Sequence, residues 1–334
     1  MEEKIMDKVS YDILYQSDEN YAPVLAVSIK SLITNNKKLH FRIVIIDCGL
    51  KSESKKRLVK MVNGTHIKLL FVSQSKLEEK LSNSKIASYT GFRKNKKSYI
   101  KILYPYYENA ARRILFIDCD TIIKGDIEPL LLMDLKGKTM AAVMDSTVDQ
   151  NYKKLIGLSP NDPYYNSGVM VIDSDAWVKS GIYEKIQAQI DSGVKYNTVD
   201  QDYINMAVKG DCVILDCRYN FQPFHLVYSA STYLAVFHKE GVYYSASELN
   251  EGRENIVILH FFRYLGLHPW DKKSLHPVES EYKKWIMRTP WATYKWKQPQ
   301  ISTAIRIERL LYILLPKCIF LRLFKLMHDK LLHQ

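Results

Sequence analysis

Over the first 120 residues, short apolar or β-branched runs alternate with segments of helical period, and this alternation constrains the fold more than any other feature of the chain. YDILYQ (11–16), FRIVIID (41–47), HIKLLFV (66–72) and RILFID (113–118) read as strands. APVLAVSIKSLI (22–33), SESKKRLVKMV (52–62) and SYIKILYPYY (98–107) read as the helices between them. Such alternation implies a mostly parallel sheet covered on both faces, with ligands at the carboxyl ends of the strands. Two of those ends carry acids: Asp18 beyond the first strand, and Asp118 with Asp120 beyond the fourth. Further strands are expected at KTMAAVMD (138–145), YYNSGVMVID (164–173), CVILDC (212–217) and IVILHFF (256–262), with helices around 175–190 and 198–208.

Two carboxylates one residue apart at the end of a buried strand repel each other and resist desolvation. A divalent cation offsets both costs. Residues i and i+2 of a strand share a face, so Asp118 and Asp120 can aim at one ion. Oxygen ligands suit Mg²⁺ or Mn²⁺, and an added imidazole favours Mn²⁺. His260, at the end of IVILHFF, is the candidate imidazole. Taken alone it reads as a satisfied strand-end histidine. A third cluster is TVDQDYIN (198–205). Its plain reading is a helix start in which Thr198 caps and the acids complement the dipole. The same segment presents Asp200, Gln201 and Asp202, two carboxylates and an amide, where substrate-facing groups often sit. No HExxH, GxSxG or GxGxxG occurs, and GKT at 137–139 has Leu132 where a phosphate-binding loop needs glycine. Cys119, between the aspartates, reads as packing.

The bulk composition, 47% hydrophobic and 25% charged, is that of a folded globular chain. The 23 tyrosines suit surfaces that stack on flat rings such as sugars and bases, although most tyrosines fill cores. Five cysteines without a CxxC pair point to reduced thiols. The opening MEEKIMDKVSYD has no basic start followed by an apolar stretch, and no uncharged apolar run reaches about 18 residues, so neither a signal peptide nor a spanning helix is expected. A cytoplasmic protein follows.

Of the net charge of +12, eight units fall in residues 281–334, which hold 11 Lys or Arg against 3 Asp or Glu. We therefore divide the chain into a main domain, 1–280, and a basic amphipathic segment, 281–334. The latter pairs Arg306, Arg309, Lys317, Arg322 and Lys325 with Trp285, Trp291, Trp296 and an aliphatic stripe, and its two helices break at Pro316. That pattern fits attachment to an anionic membrane surface. A dimerisation or core-packing helix pair is the plainer alternative. Nucleic acid is not expected, because the basic residues alternate with aliphatics.

The ordered set FIDCD (116–120), YYNSGVMVID (164–173), DQDYIN (200–205) and LHFF…G…HPW (259–270) resembles the family 8 retaining glycosyltransferases, which include bacterial lipooligosaccharide galactosyl- and glucosyltransferases and glycogenin. YDILYQSDENYAPVLAVSIKSL is similar to that family's opening strand, nucleotide loop and helix, and the likeness spans roughly residues 10–270. It implies an α/β fold of GT-A type: a single Rossmann-like nucleotide-sugar domain with a mixed, mostly parallel sheet, here followed by a basic helical tail. It implies a UDP-hexose donor, with Asp18, Asn20 and Tyr21 at the base and ribose. Asp118, Asp120 and His260 would hold Mn²⁺ (or Mg²⁺) against the diphosphate, Lys101 would contact donor, and Asn166 the transferred sugar. Asp200 and Gln201 match the pair lying against the hexose, with Asp202 following, and Asp145 matches an acid near a glycan or glycolipid acceptor. The family's last motif runs H-x-x-G-x-x-K-P-W, whereas this chain reads HFFRYLGLHPW. Gly266 keeps the glycine, His268 replaces the lysine, and Arg263 is the cation nearest to hand, with Lys272 and Lys273 behind it.

Two other readings compete. ILFIDCDT also resembles the DxDxT start of haloacid-dehalogenase phosphatases, but there it ends an early strand and is followed by a later acid pair that GDIEPL does not supply. An inactive sugar-binding module is conceivable from the altered phosphate motif.

Overall fold

The computed structural model describes residues 11–79 and 96–332. Seven strands form one sheet: β1 (Tyr11–Ser17), β2 (Arg42–Asp47), β3 (Lys68–Ser73), β4 (Arg113–Ile117), β6 (Met140–Met144), β7 (Tyr165–Asp173) and β8 (Cys212–Ile214). Their order across the sheet is β3-β2-β1-β4-β7-β6-β8. β1 pairs in parallel with β2 and β4, as do β2 with β3 and β6 with β8; β7 alone runs antiparallel to both of its neighbours. The mixed, mostly parallel sheet read from the sequence is therefore the one observed.

Burial on both faces explains the apolar runs. Ile13 and Tyr15 of β1 pack with the helix Ala22–Asn35 on one side, while Leu14 packs on the other with Tyr99, Ile102 and Trp177. Asp12 is the charged exception in that strand, and it is fully paired: it takes both nitrogens of the Arg42 fork, at 2.7 and 2.9 Å, and the Tyr104 hydroxyl at 2.9 Å.

Three local expectations change in three dimensions. SYIKILYPYY lies in a 3₁₀ stretch, Lys96–Tyr106, in place of an α-helix, and it contains Pro105, which cannot donate to a helical ladder. The 175–190 helix is two, Ser174–Lys179 and Ile182–Asp191, separated at Gly181, whose φ of 61° is left-handed. IVILHFF joins a separate two-stranded ribbon, not the main sheet: β5 (Thr121–Ile123) pairs antiparallel with β9 (Ile258–His260). The helices Pro223–Val227, Ala230–Phe237 and Ala246–Glu254 were not anticipated.

The tail forms the two expected helices, Thr303–Leu314 and Lys317–Leu332, broken at Pro316. They lie against the body of the protein: Phe320 and Leu321 are buried in the main core, and Phe324 packs on Phe224 with ring centroids 5.1 Å apart. No helix among the described residues is long and apolar enough to cross a membrane.

Candidate active site

The carboxyl ends of β1 and β4 open into a cleft of about 330 Å³ lined by Gln16, Ser17, Asp18, Tyr21, Cys48, Lys101, Phe116, Asp118, Cys119, Asp120, Ser167 and Asp200. Parallel neighbours release their chains at the same edge, which is why residues a hundred positions apart meet there.

The acid pair and the histidine are joined by strand register. β5 begins immediately after Asp120, and Thr121 lies opposite His260 across the ribbon. The Phe261 N–H donates to the Asp120 carbonyl at 2.8 Å, and the Asp118 N–H donates to the Gly168 carbonyl at 2.7 Å. His260 Nε2 consequently stands 3.4 Å from Asp120 Oδ1 and 3.9 Å from Asp118 Oδ2. One ligand atom from each of the three lies within 4.8 Å of the others.

These residues fit a divalent cation on three grounds. The donor set is two carboxylates and one imidazole, suited to Mn²⁺ or Mg²⁺. His260 donates its Nδ1 hydrogen to Asn220 Oδ1 at 3.0 Å, which fixes the tautomer and turns the Nε2 lone pair toward the acids. Gly168 lines the cradle so closely that a Cβ there would lie 2.4 Å from His260 Cε1 and 2.9 Å from Asp118 Oδ2. The acids outnumber the cations around them: Asp118, Asp120 and Asp200 face Lys101 and His260. Burial lifts the Asp118 carboxyl to about 6, with Lys101 opposing and Asp120 adding to the shift. Asp120 and His260 stabilise each other's charge against the cost of burial, so the histidine is raised and the aspartate lowered.

Lys101 is buried beside the pair. Its Nζ contacts Asp200 Oδ2 at 2.7 Å and the Ser167 carbonyl at 3.2 Å, above the Phe116 ring. Burial disfavours its charge, but Asp200, Asp118 and Asp120 more than offset this and raise its pKa. Beyond it a chain of amides carries order from the far side of the site to the histidine. Asp145 accepts from Asn166 Nδ2 at 2.9 Å; Asn166 Oδ1 accepts from the Gly168 N–H at 3.0 Å and from Asn220 Nδ2 at 2.8 Å; Asn220 then receives the His260 hydrogen. Every amide orientation in this chain is set by its neighbours. Gln201 closes the arrangement, accepting from the Ser167 N–H at 3.0 Å and donating to Asp145 Oδ2 at 3.3 Å.

Asp18 caps a 3₁₀ turn, accepting from Asn20 and Tyr21 N–H at 3.0 and 3.2 Å; Tyr21 reaches the cleft and Asn20 is exposed. Asp202 is turned away from the cleft and fully buried. Its carboxylate accepts from the hydroxyls of Tyr152 and Tyr164, both at 2.6 Å, and from the Thr198 N–H at 2.8 Å. It thus anchors the start of the helix Val199–Ala207. The Thr198 side chain makes no cap bond, contrary to the sequence expectation, because its hydroxyl pairs with Tyr164 instead. Cys119 is buried with its thiol against the Gln16 carbonyl, a packing role.

The segment after His260 forms the remaining rim. His268 lies flat on Trp270, 4.4 Å between centroids, and burial lowers its pKa, so the residue standing where the family has lysine is uncharged at neutral pH. Arg263 is exposed at the same rim, close enough to bear electrostatically on both Tyr21 and His268. Gly266 has φ of 74° and faces Ile305 of the tail; a Cβ there would lie 2.7 Å from that side chain. Asn220 and Gly168 were not singled out from the sequence. The glycine of N-S-G was the available signal, whereas Asn220 sits in a turn with no motif of its own.

A strand-end cleft, an acid–acid–histidine cluster fit for a divalent cation and a buried lysine–aspartate pair thus stand together at one edge of a sheet of GT-A type. The profile of glycosyl transferase family 8 matches residues 12–274, and the chain belongs to that family. General stress protein A of Bacillus subtilis is 30% identical over 286 residues, 83% of this chain and 93% of its own. Lipopolysaccharide 1,2-glucosyltransferase of Escherichia coli K12 is 26% identical over 290 residues, 84% of this chain and 78% of its own. The structure of the galactosyltransferase LgtC with donor and acceptor sugar analogues superposes with a TM-score of 0.67 at 19% identity, covering 88% of this chain and 99% of that one, and shares the fold. Family membership sets the phosphatase reading aside.

Proposed function

We propose that this glycosyltransferase moves a hexose, glucose or galactose, from its UDP conjugate to a cell-surface glycan such as lipopolysaccharide or capsule, with retention and hence an α linkage, at the inner face of a bacterial membrane. The observation that carries the reading is the meeting of Asp118, Asp120 and His260 with the Lys101–Asp200 pair in one cleft at the end of β1 and β4. The relatives named for lipopolysaccharide glucosyl and galactosyl transfer support the sugar class and the acceptor.

A divalent ion held by Asp118, Asp120 and His260 supplies positive charge for a diphosphate leaving group. Lys101 adds a second, buried cation on the same side, kept charged by Asp200. Asp18 and Tyr21 line the cleft and are assigned to the base and ribose. Arg263 takes over the phosphate grip that neutral His268 does not provide. At the sugar, positive charge develops in an oxocarbenium-like transition state, and its stabilisation is assigned to the Asp200 carboxylate of the cleft and to the oxygen of the Gln201 amide, whose nitrogen donates to Asp145 at 3.3 Å. An amide is too poor a nucleophile for a covalent route. Same-face attack follows, with the departing phosphate oxygen taking the acceptor proton.

The decisive assay is UDP release from a panel of UDP-sugars with and without Mn²⁺. Turnover of one sugar that requires Mn²⁺ and falls at least about 100-fold in Asp120→Asn is the expected result. Release from no donor, even with lipid-linked acceptor added, overturns the reading.

Membrane docking rests on the tail. Ile307, Leu310, Ile313 and Leu314 of its first helix and Ile319, Leu323 and Leu326 of its second are all exposed, beside exposed Arg306, Lys317 and Arg322. Flotation with vesicles containing anionic lipid, weakened by salt, is expected; equal failure to float with anionic and neutral vesicles sinks this part of the proposal.

A further inference from the structure

The tail also reaches the donor rim from behind. In the segment 263–276, three residues with side chains adopt left-handed backbone: Leu265, Lys273 and Leu275, with φ of 49, 55 and 61°. This region is disfavoured for leucine and lysine, and holding it requires outside support. Leu265 and Gly266 form the tip of a tight turn closed by two hydrogen bonds between Tyr264 and Leu267, at 2.9 and 3.2 Å. The sequence of this turn, Leu-Gly, supplies only one residue suited to it.

The support comes from Arg309 in the first tail helix. Its guanidinium is buried and spends its donors on the rim's backbone: Nη1 on the Ser274 carbonyl at 2.9 Å and the Leu265 carbonyl at 3.4 Å, and Nη2 on the Lys273 carbonyl. Two of these carbonyls belong to left-handed residues, and the third immediately precedes one. A rigid fork is the group able to tie separate carbonyls together. Three further contacts come from the same stretch of tail. Trp296 stacks on Trp270 at 4.8 Å, beneath the Trp270–His268 stack; Gln298 Oε1 accepts the Lys272 N–H at 2.7 Å; Ile305 fills the space left by the missing Gly266 side chain.

We infer that Arg309 is a positioning residue for donor binding, holding the strained 263–276 rim from the tail so that Arg263 faces the phosphates. The inference rests on the proposal that this rim contacts the UDP-sugar. It gives the tail a role inside the site, separate from any attachment to a membrane.

The test is calorimetric titration of UDP into the full chain with Mn²⁺ saturating, in wild type, Arg309→Ala, Arg309→Lys and Arg322→Ala. Arg322 is exposed on the second tail helix and controls for charge loss. UDP is expected to bind about tenfold more weakly in Arg309→Ala, since a displaced contact loop costs affinity without touching the ligand. Arg309→Lys should fall in between, and Arg322→Ala should match wild type. Stoichiometry and Mn²⁺ affinity should stay constant throughout. If Arg309→Ala does not fold, Arg309→Lys alone carries the comparison. Unchanged UDP affinity in the Arg309 variants, or a loss confined to stoichiometry, overturns the inference while leaving the donor reading intact. A wild type that binds Mn²⁺ but not UDP overturns the donor reading and this inference with it.

Discussion

At 118–120 the chain reads Asp-Cys-Asp, and at 200–202 it reads Asp-Gln-Asp. In the first segment both carboxylates look into the cleft, with side chains 36% and 16% exposed, and they share one histidine. In the second, each carboxylate has a partner of its own: Lys101 for Asp200, and two tyrosine hydroxyls with a backbone N–H for Asp202. The same pattern therefore serves opposite ends. A cluster left short of positive charge is suited to a divalent cation, whereas one whose carboxylates are each paired holds Lys101 and Gln201 in place. What separates them is secondary structure. The first pair stands where a strand ends and the chain enters a ribbon; the second lies on the first turn of a helix, where i and i+2 point apart.

The comparison can be broken most severely at the cradle. Gly168→Ala puts a methyl group where His260 and Asp118 now sit, and Mn²⁺ affinity should fall at least about 100-fold, with near-wild-type circular dichroism. Retention of Mn²⁺ binding would show that the three ligands do not form the site as described. Asn220→Leu removes the acceptor that fixes the His260 tautomer; a loss of about 10- to 100-fold in Mn²⁺ affinity is expected, read by isothermal titration. Asp202→Asn sharpens the contrast from the other side. It disturbs three hydrogen bonds in the scaffold and should cost about 1–3 kcal/mol in urea unfolding, while Mn²⁺ affinity stays unchanged. A changed Mn²⁺ affinity with unchanged stability would place Asp202 in the site after all.

Much of this was legible in the chain because it is local. The strand runs, the helix Ala22–Asn35 and the break at Pro316 follow from period and from proline, which act over a few residues. Asp118 and Asp120 were legible because a polar pair at the end of an apolar run is anomalous wherever it occurs. The facing of Asp202 was not, since an i to i+2 pair means one thing on a strand and another on a helix turn. Asn220 was invisible for a different reason. It reaches His260 only because Phe221 bridges to Leu259, a pairing between segments 38 positions apart that leaves no trace in either one.

The sequence by itself determined most of the strands and the helices between the first of them, the strand ends at which a ligand would lie, and the acids available there, because hydrophobic period and chain reversal are properties of neighbouring residues. Only the tertiary structure decided which acids stand around one histidine, which asparagine orients that histidine, and that a tail read as a separate basic segment grips the 263–276 loop through Arg309. Each of these depends on strand register and on the approach of elements distant in the chain, and both are settled by packing of the whole core.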